Sequence, residues 1–186
     1  ELGALLTAAK LDVARLKSKI GTLSPDVVER LGHLTETLNT GIALKRRIVE
    51  DLHPSSLYHL GLTASLEILT HEFSNHSGIP INTDLDTVEI DAAGQLTIYR
   101  LIQESLTNIG KYAEATLITV TVQNYTGHVQ VDVHDNGKGF DMAHVRPSTH
   151  GIAGMRHRVE AAGGRLTVIS SPGNGTHISA ALPTHT

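Results

Sequence analysis

Three polar side chains lie at helical spacing in one apolar-periodic segment. Glu104, Asn108 and Lys111 are related as i, i+4 and i+7, so they form one row if residues 91–113 are helical. An amide oxygen is a suitable ligand for Mg²⁺, and an ammonium group neutralises phosphate charge. The row suits a magnesium–triphosphate, but the helix taken alone favours an ordinary solvated face.

A carboxylate followed by two glycines comes directly after a predicted strand. Asp135 begins the run Asp-Asn-Gly-Lys-Gly-Phe, which contains Gly137 and Gly139. The carboxylate can accept a hydrogen bond from an exocyclic amine, and glycines let backbone and ligand approach closely. A simple Asp-Asn-Gly turn would use the same residues.

Two more glycine-containing segments follow. Gly151 and Gly154 open a predicted helix, where free N–H groups suit a phosphate. Thr176 ends Gly-Asn-Gly-Thr between two predicted strands, a segment that could reach a nucleotide or be only a hairpin turn. Each signal is weak alone, but the four in this order predict a nucleotide site that is not a Walker loop.

Composition excludes several other classes of site. The chain of 186 residues has no cysteine, so disulfides, thiolate catalysis and cysteine-based zinc sites are excluded. A net charge of −4 provides no broad basic field, which predicts no direct nucleic-acid binding. The 12 histidines follow no recognised metal-binding spacing. No apolar run is long enough to span a bilayer and no signal peptide is present.

The first 56 residues have the pattern of a helical hairpin. Apolar residues recur at three- and four-residue spacing over 1–20 and 25–52, with a break at Gly21-Thr22-Leu23 and an end at Pro54. Two hairpins side by side would form a four-helix bundle, which predicts a homodimer. The alternative is a hairpin that packs on its own C-terminal domain.

Residues 57–186 alternate between helical and strand patterns. Helices are predicted at 60–77, 91–113 and 151–162, and strands at 79–85, 117–122, 129–133, 165–170 and 177–182. Gly78 predicts a helix stop, and Pro80 places the first strand at a sheet edge. The fold class is therefore α+β: a helical hairpin followed by an α/β sandwich, a mixed sheet with helices on one face.

The four chemical segments resemble a known family. "QESLTNIGKYA", "DNGKGF", "HGIAGMRHRV" and "GNGTHISAALP" resemble the N, G1, G2 and G3 boxes of the Bergerat-type (GHKL) ATP-binding domain of histidine kinases, DNA gyrase, heat-shock protein 90 and the mismatch-repair protein MutL. "GMRHRVEAAGG" and "EDLHPSSLYHLGLTASLE" are similar to the histidine kinase subfamily that pairs with nitrate/nitrite-type response regulators.

The resemblance implies ATP and Mg²⁺ as cofactors. Asn108 would bind the metal, Glu104 would be the catalytic group and Asp135 would read the adenine amine. Residues 141–150 would form a short lid over the nucleotide. The implied cofactor-binding residues are Asn108, Lys111, Asp135, Gly137, Gly139, Gly151, Gly154, Met155 and Thr176.

The resemblance also implies that the chain is a sensor histidine kinase core. Such a core phosphorylates a histidine and passes the phosphoryl group to an aspartate of a response regulator, here one with a helix-turn-helix output domain. The core would be a cytoplasmic homodimer, attached to a membrane only through other parts of its parent. The family's acceptor His-Asp pair would precede Glu1. We therefore expect a chain truncated just after the acceptor, unable to autophosphorylate.

Three other functions remain open at this stage. They are a gyrase-like ATPase switch, a serine kinase of the anti-sigma type, and a scaffold that only dimerises. Nucleotide binding separates the scaffold from the rest, and phosphotransfer through a histidine separates the sensor kinase from the other two enzymes.

Overall fold

The computed structural model describes residues 2–19, 25–52, 54–142 and 150–184. The chain divides into two compact units, Glu1–Ser55 and Ser56–Thr186.

The first unit is a pair of helices, α1 (Leu2–Lys19) and α2 (Pro25–Leu52), as predicted. The break predicted at residues 21–23 lies outside the described residues. Val13 is buried, but large apolar side chains remain exposed along both helices: Leu5, Leu11, Leu16, Val27, Val28 and Leu34. The hairpin therefore buries only part of its own apolar stripe.

The second unit begins with two helices, α3 (Ser55–Leu60) and α4 (Leu62–Ser77). One helix over 60–77 was expected, but Gly61 separates the two because its φ of 79° and ψ of 178° are not helical. The predicted stop at Gly78 is confirmed. This glycine has a φ of 74°, and its N–H donates to Ser74 O at 2.9 Å, a left-handed helix cap.

A five-stranded mixed sheet forms the centre of this unit. Its strands are β1 (Ile81–Leu85), β2 (Ile118–Tyr125), β3 (His128–Asp135), β4 (Arg165–Ser170) and β5 (Thr176–Pro183), in the order β1-β2-β3-β5-β4. Strand β1 runs parallel to β2, and the other pairs are antiparallel. Strand β1 is an edge strand, as Pro80 predicted.

Helices α5 (Ala92–Asn108) and α6 (His150–Ala161) cover one face of the sheet. Alternate strand residues are buried, because successive side chains point to opposite faces. The apolar residues on one side of α5 are buried, among them Ile98, Leu101 and Ile102, and the buried side continues with Ile109 in the next turn. The opposite sheet face is polar, and there His177 Nε2 lies 2.8 Å from Asp132 Oδ1.

Helix α5 has a defined start and an unexpected end. Asp91 caps its N-terminus by accepting the Gly94 N–H at 2.7 Å. Residues Ile109–Ala113 form a π turn rather than the predicted continuation of the α-helix. Glu114 ends this turn with a φ of 53°, the left-handed region. Lys111 lies in this π turn, beyond the end of the α-helix that carries Glu104 and Asn108.

No helix in the described ranges is both long enough and apolar enough to cross a membrane.

Candidate nucleotide site

Four residues line up across the ends of four neighbouring strands. Asp135 of β3 lies opposite Ile118 of β2 and Thr176 of β5, and Thr176 lies opposite Ser170 of β4. Directly opposite residues point to the same face of a sheet, so all four face the helices. The structure thereby brings two predicted site residues, Asp135 and Thr176, side by side.

The carboxylate of Asp135 is held by one protein donor. The residue is 2% exposed, and its Oδ1 accepts the N–H of Gly137 at 2.8 Å. Among the described residues no donor reaches the other oxygen, Oδ2. No side-chain oxygen in the described part of the chain is both fully buried and unpaired. Oδ2 therefore keeps a small accessible surface and an unused acceptor, which a ligand donor can contact.

The Gly-x-Gly loop after Asp135 packs closely on the protein itself. A methyl group on Gly137 would lie 2.3 Å from Ala113 O, and one on Gly139 only 2.1 Å from Ser171 O. The N–H of Lys138 also donates to Ala113 O at 2.8 Å. These two glycines therefore let the loop contact the π turn on one side and the β4–β5 turn on the other.

Asn136 joins the same loop to the start of β2. Its Oδ1 accepts the N–H groups of Thr116 and Leu117 at 2.9 and 3.0 Å, and its Nδ2 donates to Thr116 Oγ1 at 2.9 Å. Sequence analysis assigned no role to this residue. An asparagine beside a turn glycine was the available signal, because its amide readily bonds nearby backbone.

An exposed ion pair spans the loop and the π turn. Lys138 Nζ lies 2.6 Å from Glu114 Oε1. The hydrogen bond and the charge of Lys138 lower the pKa of the Glu114 carboxyl. A lowered pKa means that the pair contributes at neutral pH and that its contribution is lost as the pH falls through that pKa. Solvent screens the pair, so it is a minor support for the loop.

The predicted phosphate side is assembled by α5 and the first turn of α6. A methyl group on Gly151 would lie 2.6 Å from Glu104 Oε1 and 3.3 Å from Asn108 Nδ2. The structure therefore brings Glu104, Asn108 and Gly151 together. A methyl group at position 151 would push aside the end of the flexible Glu104 side chain, so glycine keeps this approach close. The first N–H groups of α6, which have no partner within the helix, belong to the same turn.

Three other predicted contact residues have surroundings that differ from one another. Lys111 is exposed on the π turn. A methyl group on Gly154 would meet the Arg158 guanidinium at 3.3 Å, not Glu104 or Asn108. Met155 has no exposed surface, and the Ser105 hydroxyl lies 3.8 Å from its sulfur, inside the core. Met155 can therefore reach a nucleotide only if its neighbours move, and we assign it to the packing of α6 on α5.

Ser170 is a second residue that sequence analysis missed. Its hydroxyl contacts the N–H of Phe140 at 3.0 Å, the carbonyl of Gly175 at 2.8 Å and the hydroxyl of Thr176 at 3.1 Å. No local pattern marked it, because its partners come from two separate segments, the loop at Phe140 and the start of β5 at Gly175 and Thr176.

The metal side contains few protein ligands. Across the described ranges no three His, Asp or Glu side chains form a cluster that could hold an ion. A Mg²⁺ ion here would take the Asn108 amide oxygen and complete its coordination with phosphate oxygens and water. Most of the predicted lid, residues 143–149, lies outside the described residues.

An open groove of about 560 Å³ lies elsewhere in the same unit, between α4 and β1. None of the predicted site residues lines it. The candidate nucleotide site is defined by its polar groups, and this groove is separate from it.

A family model and several known proteins match this chain. The model described as "Histidine kinase-, DNA gyrase B-, and HSP90-like ATPase" matches residues 93–186, which include every predicted site residue. DegS of Brevibacillus brevis, a signal transduction histidine-protein kinase/phosphatase, is 29% identical over 85% of this chain and 42% of its own length. The sensor histidine kinase LiaS of Bacillus subtilis is 33% identical over 74% of this chain and 38% of its own length. The chain thus spans about two fifths of these relatives.

Solved structures agree with the fold. The blue-light activated histidine kinase of Erythrobacter litoralis EL346 matches 66% of this chain and 45% of its own, with a TM-score of 0.57 and 25% identity. The histidine kinase domain of that protein matches 95% of both chains, with a TM-score of 0.58 and 18% identity. This chain therefore shares its α+β fold with these histidine kinase structures.

The close approach of Gly137 to Ala113 makes a stability prediction. Gly137→Ala places a methyl group against backbone, so we expect a loss of about 1–3 kcal/mol of unfolding free energy. Gly154→Ala is the matched control: its methyl group meets only a flexible arginine tip, and alanine favours the helix by up to about 1 kcal/mol. Urea unfolding of both variants without ligand checks this, and equal midpoints would contradict it.

Proposed function

This chain belongs to the histidine kinase-, DNA gyrase B- and HSP90-like ATPase family, and from that premise we propose that it binds Mg-ATP as the kinase core of a sensor histidine kinase. One observation carries the proposal. The carboxylate of Asp135, at the end of β3, has one oxygen without a protein donor, and elsewhere in the same unit Glu104 and Asn108 lie against the first turn of α6 at Gly151.

The purine side has groups that fit an adenine. The free Oδ2 of Asp135 accepts a hydrogen bond from the exocyclic amine, and Thr176 adds a hydroxyl beside it. Gly137 and Gly139 support these groups by allowing the loop to pack between its two neighbours. A carboxylate that is almost fully buried yet keeps a free oxygen is the feature that favours a ligand here.

The phosphate side has groups that fit a triphosphate with its metal. Asn108 supplies an oxygen for Mg²⁺, and the N–H groups of the first turn of α6, including that of Gly151, supply donors for phosphate oxygens. Gly154 is the fifth residue of α6, where its N–H donates within the helix, so it supports the turn and does not bind phosphate. Lys111 would reach the phosphates with its long side chain from the π turn. Met155 would hold α6 in place from the core.

ATP supplies the γ-phosphoryl group when bound. The residues of this chain then orient it and neutralise its charge, the two effects that dominate phosphoryl transfer. Glu104, next to Asn108 at the first turn of α6, is the acidic group placed to position or activate the reacting partner.

Replacing one oxygen of Asp135 tests the purine contact. Asp135→Asn is nearly isosteric but substitutes a neutral amide for the carboxylate, so we expect Mg-ATP affinity to fall by about 1.5–3 kcal/mol. Asp132→Asn is the control, because Asp132 pairs with His177 on the opposite sheet face. Isothermal titration calorimetry measures both variants. Equal affinity in Asp135→Asn and the unchanged protein would remove Asp135 from the site, and no binding by the unchanged protein would remove the function.

We propose the activity of the whole protein from the same resemblance. It phosphorylates a histidine and passes the phosphoryl group to an aspartate of a response regulator with a helix-turn-helix output domain. The "GMRHRVEAAGG" segment supports the subfamily that pairs with nitrate/nitrite-type regulators, acting in the cytoplasm. The relatives named above, as sensor histidine kinases or as a histidine-protein kinase/phosphatase, support the kinase reaction.

Glu104→Gln separates catalysis from binding in that reaction. In the full-length protein with γ-labelled ATP, we expect labelling to slow about a hundredfold or more, because the acid–base group is lost. Mg-ATP affinity should change little, and Glu160→Gln, exposed at the other end of α6, should label normally. The label should be acid-labile and alkali-stable, as phosphohistidine is. An acid-stable label would instead indicate a serine kinase.

We propose that a second copy of this chain packs on the exposed apolar residues of α1 and α2. Leu11 and Leu34 are 55% and 44% exposed in the single hairpin, and pairing two hairpins would bury them. We expect equilibrium sedimentation to give a dimer that Leu11→Glu weakens. Ile169→Glu is the control, since Ile169 is an exposed strand residue of the other unit. A monomer at all concentrations would contradict the dimer.

A further inference from the structure

The hydroxyl of Ser170 has three polar neighbours and only one proton. Its Oγ lies 3.0 Å from Phe140 N, 2.8 Å from Gly175 O and 3.1 Å from Thr176 Oγ1. A serine hydroxyl donates once and accepts through two lone pairs. The three contacts therefore use its complete hydrogen-bonding capacity.

The positions of the protons follow from the chemistry of the three partners. The backbone N–H of Phe140 is a donor, so Ser170 accepts from it. The carbonyl of Gly175 has no proton, so the proton of Ser170 must lie between these two oxygens. Thr176 must then donate its own proton to Ser170, because two hydroxyl oxygens at 3.1 Å need a proton between them.

This leaves Thr176 with lone pairs only. Thr176 stands directly opposite Asp135 on the helix-facing side of the sheet, and the free Oδ2 of that carboxylate is also an acceptor. A ligand atom that contacts both must be a donor. The amino group of a 6-aminopurine satisfies this condition because it donates. The oxygen of a 6-oxopurine is an acceptor and would be repelled by the carboxylate of Asp135 and the hydroxyl oxygen of Thr176.

We infer that Ser170 is a positioning residue that fixes the Thr176 hydroxyl as an acceptor and so makes the site select a 6-aminopurine over a 6-oxopurine. The inference rests on the proposed function, since it concerns the purine side of the same nucleotide site. Ser170 itself need not touch the ligand.

Removing the Ser170 hydroxyl should change selectivity and not only affinity. In Ser170→Ala the Thr176 hydroxyl is free to rotate and to donate to a 6-oxo group. We expect the ratio of the Mg-ITP to Mg-ATP dissociation constants to fall about fivefold to tenfold, the effect of one neutral hydrogen bond. Calorimetric titration with each nucleotide measures the ratio. A merely structural role of Ser170 would weaken both nucleotides alike and leave the ratio unchanged.

A double-mutant cycle tests whether the effect passes through Thr176. In the Thr176→Val background there is no hydroxyl to reorient, so adding Ser170→Ala should leave the ratio the same within about twofold. If Ser170→Ala still lowers the ratio there, Ser170 does not act through Thr176, and the inference is overturned.

Two further variants of nearly equal side-chain volume test the inference if Ser170→Ala does not fold. Ser170→Thr keeps the hydroxyl and Ser170→Val removes it at nearly the same volume, and both suit a strand. We expect the threonine variant to keep the ratio of the unchanged protein and the valine variant to lose it. Amide hydrogen exchange without ligand should also be faster at Phe140 in the valine variant only.

The outcomes separate this inference from the proposed function. If the unchanged protein binds neither nucleotide, the proposed function and the inference both fail. If it prefers Mg-ATP but Ser170→Val keeps that preference, the inference fails while the proposed function stands.

Discussion

The backbone contact between Gly137 and Ala113 is the constraint on which the site depends. It fixes the loop after β3 against the end of the π turn, with Lys138 N donating to the same carbonyl at 2.8 Å. The loop is held on its other side by Gly173 N, which donates to Lys138 O at 2.7 Å. One short segment therefore sets the distance between the helix that carries Asn108 and the strands that carry Asp135 and Thr176. A side chain at position 137 would separate them.

Three carboxylates in and near the candidate site differ in burial and in hydrogen-bond partners. Asp135 is almost fully buried and has one protein donor, so its free oxygen is available to a ligand. Glu114 and Lys138 pair with each other in solvent, where the pair supports the loop without competing for the ligand. Asp132 is occupied by His177 on the other face of the sheet. Of these three carboxylates, only that of Asp135 combines burial with an unused acceptor.

The two units bury their apolar residues to different extents. Residues from four strands and three helices bury one another in the α/β unit, where Ile98, Ile118 and Leu182 have no exposed surface. The helical hairpin buries Val13 but leaves leucines on both helices exposed. Two helices cannot cover the whole apolar stripe between them, and the proposed second copy would cover the rest.

The sequence by itself determined features whose cause is local. Periodicity predicted the buried side of α5, Gly78 predicted the end of α4, and Pro80 predicted an edge strand, because each depends on residues close along the chain. Four glycine- and acid-containing segments in order also predicted the family. Tertiary structure alone decided the π turn that contains Lys111, the burial of Met155, and the bonds of Asn136 and Ser170. These depend on partners from distant segments: Ser170 contacts Phe140, which is 30 residues away. Such contacts leave no periodic pattern in the sequence, because side chains from separate elements meet only when the sheet and its helices have packed.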